Sequence, residues 1–375
     1  MIVSLAISDL AVRGGTHKQL LRLGQYLRQC GDDVEILTYD YQAGKCYEEF
    51  QDFRVKTIED PSRNGPISGR DRLRHAIELL RQINPNSDLL NIHDIGCEWL
   101  ALACMLSKRK LPIVWQINDL HTSFRLGASK RLESKWTHPI HRFLARSLAQ
   151  HARAVTVNVN KNAERVREHL GVDAHVLHCG VDRLCTELTP RMIHNPIRIV
   201  SIGVFFRHRN YESILEAMVL LQATGTDCNL TIIGSTKFDE AYAGQIARQA
   251  SESNLRVEIL GEVDQQTVVE RLKESDVFVF VNVDQSWGLS VFEAMTVSLP
   301  AVLSKSVGAM ELLATSAGVV VVDPQNPQEI SAAIQKITGN QEAYNRMAVQ
   351  AFHDASSFSW DAMYSSKMRT LFQML

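Results

Sequence analysis

The chain has 375 residues, a length that favours two domains. Its 45% apolar and 22% charged residues are an ordinary globular balance, which excludes disorder and fibrous repeats. Forty Lys and Arg stand against 42 Asp and Glu, a net charge of −2 with no basic excess for nucleic acid.

Ile2–Ile7 (IVSLAI) is a continuous apolar run of strand length, the pattern of a parallel strand buried on both faces. A loop with Gly14-Gly15 follows. Then come Leu20, Leu21, Leu23 and Leu27 at near-helical spacing, a stop at Gly31 and a strand at Val34–Tyr39. Strand, glycine loop, helix and strand make the unit of a doubly wound sheet. Further strands are predicted at Phe53–Ile58, Leu89–His93, Ile113–Ile117, Ala154–Val157 and His175–Leu177 with helical stretches between them, of which Arg70–Arg81 and Arg131–His151 are the clearest. Leu184–Pro196 has two prolines and little periodicity, and reads as a linker.

A second set of strands follows at Ile197–Ile202, Asn229–Ile233, Val257–Leu260, Val277–Val281, Ala301–Leu303 and Val319–Val322. Its helices are predicted at Tyr211–Gln222, Asp239–Ser253, Gln265–Glu274, Ser290–Thr296 and Pro327–Thr338. Two such halves are expected to enclose a ligand cleft, since strand carboxyl ends and helix amino ends face it from both sides. No apolar run approaches the roughly 18 residues of a membrane span, and Met1–Asp9 is too short and acidic for a secretion signal. The seven cysteines are odd in number and lack zinc or redox spacing, so they read as reduced core thiols and place the chain in the cytoplasm.

Several segments carry chemistry. Gly14-Gly15 lies where a strand hands over to a helix, so backbone N–H groups there can approach an anion at the positive helix end; a tight turn without ligand is the alternative. The loop lacks the G-x-G-x-x-G spacing of a dinucleotide site, which counts against an NAD enzyme. His93-Asp94 and Asn118-Asp119 end successive buried strands, where they either handle a polar ligand or cap the next helix. His121 and His138 are loop histidines with no partner visible in sequence. Gly203–Ala217 (GVFFRHRNYESILEA) sets Arg207, His208 and Arg209 between a strand and a helix, a diphosphate clamp or else a solvated basic turn. In Asp284–Glu293 (DQSWGLSVFE), Gly288 and Leu289 offer backbone amides at a helix start, and Glu293 sits one turn inside, placed to accept from a ribose diol.

Taken together the chain resembles a family 4 retaining glycosyltransferase of GT-B fold over nearly its whole length. Gly14-Gly15 matches the N-terminal glycine loop, and Cys179-Gly180-Val181-Asp182 resembles the family's Asn-Gly-Val-Asp turn before the second domain. Gly203 to Ala217 has the length of its Gly-Arg…Lys-Gly segment, and Gln285 to Glu293 the spacing of its paired glutamates. Glu293-Ala294-Met295 with Leu299-Pro300-Ala301-Val302 resembles its Glu-Ala-Met…Gly-x-Pro-Val signature, and Phe358-Ser359-Trp360 the start of its final helix. The departures are Val204 for the usual arginine, Arg209 for lysine, Asn210 for glycine, Gln285 for the first glutamate and Asn118 for a histidine. With Val204 and Gln285, one positive and one negative charge are missing together.

The resemblance implies an α/β chain with two Rossmann-like domains facing a central cleft. Residues 1–186 would bind the acceptor, residues 187–355 the nucleotide-sugar donor, and residues 356–375 would form a helix packing back on the first domain. It implies retaining transfer of a hexose from a UDP- or GDP-linked sugar, with no cofactor and no metal. The acceptor would be a glycan, a lipid-linked compound or a small molecule, as in surface polysaccharide or lipid-linked glycan synthesis, with contact at the inner face of the membrane. Arg209 and Arg207 would meet the diphosphate, Glu293 the ribose, and Gln285 with the Gly288 and Leu289 amides the donor sugar. Gly15 would lie near phosphate and acceptor, Asn118 and Asp119 near the transferred sugar. An epimerase of GT-B fold and a non-catalytic nucleotide-sugar-binding protein are the competing expectations.

Overall fold

In a computed structural model, which describes residues 1–58, 69–93, 95–109, 111–118, 138–188, 190–284, 287–365 and 371, the apolar runs become two parallel sheets. The chain divides into two compact units, Met1–Cys179 with Met363–Leu375, and Gly180–Ala362.

The first unit runs β1 (Ile2–Ile7), α1 (Gly15–Gln29), β2 (Asp33–Thr38), β3 (Arg54–Thr57), α2 (Gly69–Gln82), β4 (Leu89–His93), α3 (Glu98–Leu106), β5 (Ile113–Ile117), α4 (His138–His151), β6 (Ala154–Val157), α5 (Asn160–Leu170) and β7 (His175–Val176). Its strands lie in the order β3-β2-β1-β4-β5-β6-β7. Alternation along β4, β5 and β6 puts Leu90, Ile92, Ile113, Trp115, Ile117, Val155 and Val157 into one core with α2 to α5. The other face of the same strands carries Asn91, His93, Gln116 and Thr156, all buried.

The second unit runs β8 (Ile197–Ile202), α6 (Tyr211–Ala223), β9 (Cys228–Ile233), α7 (Glu240–Glu252), β10 (Arg256–Gly261), α8 (Gln265–Glu274), β11 (Val277–Phe280), α9 (Leu289–Thr296), β12 (Ala301–Ser304), α10 (Met310–Leu313), β13 (Val319–Val322), α11 (Pro327–Thr338), α12 (Gln341–Ser356) and the start of α13 (Trp360–Ser365), whose residues from Met363 on belong to the first unit. Its strand order is β10-β9-β8-β11-β12-β13, and its core gathers Ile214, Met218, Ile232, Val279, Ile334 and Tyr344. Among the described residues no helix is long and apolar enough to cross a membrane.

α3 and α5 are among the helical stretches expected between strands without bounds, and α12 is not marked in the sequence. α3 is apolar nearly all round (EWLALACML), so no stripe announces it. α5 is short and largely polar, and its stop at Gly171, with φ +76°, was the available signal. α12 is capped by Asn340, whose side chain accepts from the Ala343 N–H, and that Gly339-Asn340 boundary was readable. The helix expected over 131–151 is seen as His138–His151; residues 131–137 lie outside the described residues. Among its described residues the expected linker 184–196 forms no regular element, yet Arg191 within it is buried.

Candidate functional site

Both sheets are built outward from their first strand and then restart on its other side, so β1/β4 and β8/β11 are the switch points. A parallel sheet binds ligands outside the carboxyl ends of the strands at such a point. In the second unit the segment after β8 and the one after β11 meet there. The Val283 N–H donates to the His208 carbonyl at 2.9 Å, tying the two together.

Arg207–Arg209 form one turn of 3-10 helix, and Asn210 then takes φ +57° to start α6. Asparagine is the side chain best suited to this left-handed position after glycine, which explains how Asn210 stands in for the family's glycine. Its amide also donates to the Val281 carbonyl at 3.2 Å and the Pro324 carbonyl at 2.5 Å, and accepts from the Ser213 hydroxyl at 2.9 Å.

Arg209 folds back across Gly203. A Cβ on Gly203 would stand 2.9 Å from the Arg209 Nε and 3.0 Å from its Cζ. The guanidinium carbon lies 5.7 Å from the centre of the Phe280 ring, the last residue of β11. Beneath it the Tyr211 hydroxyl donates to the Gly203 carbonyl at 2.7 Å, and burial pushes the Tyr211 phenol up from its usual range. Arg207 goes elsewhere. Its guanidinium covers the Tyr242 ring at 5.2 Å and donates to Gln245 Oε1 at 3.3 Å, on α7.

Phe280 also touches the start of α9. A Cβ on Gly288 would meet its ring at 3.2 Å and Val307 at 3.2 Å, and Gly288 holds φ +102°, a conformation that suits glycine alone. The turn is braced by Trp287, which stacks on Phe292 with centroids 5.2 Å apart and accepts from the Ala309 N–H through its carbonyl at 2.9 Å. Leu289 opens α9 and Glu293 lies buried on it. Arg209 and Gly288 thus both lie against Phe280, and Leu289 and Glu293 follow Gly288 on α9. Gln285 lies outside the described residues.

In the first unit Gly14 caps α1 in ordinary extended backbone rather than the left-handed region, and Gly15 opens the helix. A pair not singled out in sequence sits here. His17 Nε2 is 3.0 Å from the Asp9 carbonyl and 3.4 Å from its carboxylate, which holds the Asp9 carboxyl below its usual range. Nothing in the spacing of the two residues announces it. His93 ends β4, and burial pushes its pKa down to about 3, so it is neutral at physiological pH. Asn118 follows β5 and accepts from Gln116 Nε2 at 3.2 Å. Asp94, Asp119 and His121 lie outside the described residues, as does the His138 side chain.

Two family descriptions match the chain: "Glycosyltransferase Family 4" over residues 13–183 and "Glycosyl transferases group 1" over residues 191–354. The chain is 24% identical to the GDP-mannose:cellobiosyl-diphosphopolyprenol alpha-mannosyltransferase of Komagataeibacter xylinus, covering 96% of this chain and 90% of that protein. It is 23% identical to the phosphatidyl-myo-inositol mannosyltransferase of Mycolicibacterium smegmatis, with the same coverage of 96% and 90%. Its fold superposes on the sucrose-phosphate synthase of Thermosynechococcus elongatus with a TM-score of 0.81 at 16% identity, covering 100% of this chain and 98% of that one. HepE of Anabaena, crystallised with UDP and glucose, gives 0.80 at 16% identity with both chains fully covered.

Proposed function

This chain belongs to glycosyltransferase family 4, with the GT-B fold, and from that premise we propose that it moves a hexose from GDP-mannose to a lipid-linked or glycan acceptor with retention of configuration. The donor is supported by relatives aligned over nearly the whole chain, one of whose names gives GDP-mannose and a cellobiosyl-diphosphopolyprenol. The observation that carries the reading is Arg209 laid across Gly203 at the β8/β11 switch point, beside the start of α9.

As the bond from the anomeric carbon to the diphosphate breaks, negative charge grows on the leaving group. A fixed guanidinium and helix N–H groups stabilise that charge most where it is greatest, so the reaction needs no resident metal for this task. Glu293 holds the ribose, and Gln285 with the Gly288 and Leu289 amides the donor sugar. In the first unit Asn118 and Asp119 serve the transferred sugar and Gly15 the phosphate and acceptor. Arg207 contributes long-range charge only, since Tyr242 and Gln245 hold it on α7. Work at the inner face of the membrane, through peripheral contact, is supported by Leu73 and Ile77, exposed one turn apart on α2 beside Arg72 and Arg74, and by Phe143, 71% exposed on α4.

Thermal unfolding with GDP, UDP, GDP-mannose and UDP-glucose tests the donor. A ligand at 100 times its Kd adds about 2.7 kcal/mol, and GDP-mannose is expected to raise the melting temperature where UDP-glucose does not. Transfer of mannose to a polyprenyl-diphosphate-linked disaccharide, unchanged by EDTA and giving an alpha product by NMR, completes the test. Melting unchanged by every nucleotide sugar would overturn it. Flotation with anionic vesicles, weakened by Leu73→Ser with Ile77→Ser, tests the membrane contact.

A further inference from the structure

The face of the first sheet turned away from its apolar core carries a run of hydrogen bonds at its carboxyl edge. His93 on β4 is in register with Gln116 on β5, and Gln116 with Thr156 on β6, so the three side chains stand abreast. All three are buried. Thr156 Oγ1 donates to Gln116 Oε1 at 2.6 Å, and the Gln116 amide nitrogen donates to Asn118 Oδ1 at 3.2 Å. From the first turn of α5, Asn162 Nδ2 donates to the Asn118 main-chain oxygen at 2.9 Å and to Asn158 Oδ1 at 3.1 Å. Asn118 is therefore held twice, by its backbone and by one end of its amide. The other end, Nδ2, is buried and has no hydrogen-bond partner among the described residues.

An asparagine has an acceptor on one side and a donor on the other, so what it offers a ligand depends on which way it is turned. A buried donor left without a partner is costly, which makes its direction informative. We propose that Gln116, itself held by Thr156, is a positioning residue that fixes the Asn118 amide with its N–H groups presented to the transferred sugar, and that the sugar atom facing them is an oxygen acting as acceptor. The inference rests on the reading that Asn118 serves the sugar. It also explains what this chain needs and one with histidine at this position does not: an imidazole with a ring N–H there needs no neighbour to tell oxygen from nitrogen. His93, abreast of Gln116, does not enter the order: neither of its ring nitrogens has a hydrogen-bond partner among the described residues.

A cycle of Gln116→Leu in three backgrounds tests this, read as kcat/KM for GDP release from GDP-mannose. In wild type Gln116→Leu should cost about tenfold, mostly in kcat, and Thr156→Val a smaller loss. In Asn118→Ala the same change should cost less than about twofold, and likewise in Asn118→His, which carries its own donor. An equal loss in all three backgrounds means that Gln116 acts on the fold, and overturns the proposal. Full activity of Asn118→Ala would instead remove the reading that Asn118 meets the sugar. A measurement free of turnover decides the orientation. The side-chain NH2 resonances of Asn118, assigned by their loss in Asn118→Asp, should move in both Gln116→Leu and Thr156→Val, and resonances that stay fixed in both overturn the network.

Discussion

Gly203 has no side chain because Arg209 uses that space. A methyl group there would press on the far end of a flexible side chain, which can give way, and not on backbone. Gly203→Ala should therefore fold, with stability within about 1 kcal/mol of wild type, yet lose roughly tenfold or more in kcat because the guanidinium is displaced. Arg209→Ala should lower kcat and kcat/KM together by about a hundredfold, the mark of an interaction made in the transition state. Glu293→Ala should instead abolish the thermal shift given by GDP while the free protein melts within a few degrees of wild type. His93 makes a pH prediction. Its pKa of about 3 lies below the value of 6.5 for an unperturbed imidazole, so between those values the unfolded chain takes up a proton that the folded chain refuses. Stability is then full above pH 6.5 and falls by up to about 1.4 kcal/mol per unit as pH drops below it. His93→Gln should flatten that slope in urea titrations at pH 7, 6 and 5.

At the scale of elements, Arg191 in the stretch before β8 is pinned within the second unit. Arg191 donates to the carbonyls of Leu272 (3.0 Å) and Ser275 (2.5 Å) at the end of α8, and twice to that of Val297 just after α9 (3.0 and 2.8 Å). One guanidinium thus satisfies the carbonyl ends of two helices and sits at the negative end of both dipoles. Burial lowers its pKa, but an arginine starting at 12.5 keeps its charge. Because α9 carries Gly288, Leu289 and Glu293 at or near its start, Arg191 anchors the far end of the proposed donor helix. Arg191→Met leaves those carbonyls buried without a donor and should cost about 3 kcal/mol in urea unfolding, with Arg191→Lys recovering only part. The fork of donors is what a single ammonium cannot copy.

For the whole molecule, the chain ends in the unit in which it began. Tyr364 is buried, its ring 5.7 Å from that of Tyr26 on α1, and burial raises its phenol well above the usual range. Truncation after Ala362 should therefore loosen residues 1–179 and leave the second unit intact, which hydrogen exchange resolved along the chain would detect; equal loosening of both units would contradict the division. Apolar runs of strand length, glycine breaks and leucine spacing were enough to fix two α/β units and most strand positions, because period and chain direction are local properties. The motif order from Gly14 to Trp360 likewise carried the family. What required tertiary structure was everything decided by partners far apart in sequence. Arg207 turned onto α7 because Tyr242 and Gln245 are there, 35 or more residues on. Arg191, in a stretch with no periodicity, became an anchor through carbonyls 81 to 106 residues away. The direction of the Asn118 amide was set by Gln116 and Thr156 on two neighbouring strands, since a side chain's hydrogen bonds depend on strand register, which no single run of residues encodes.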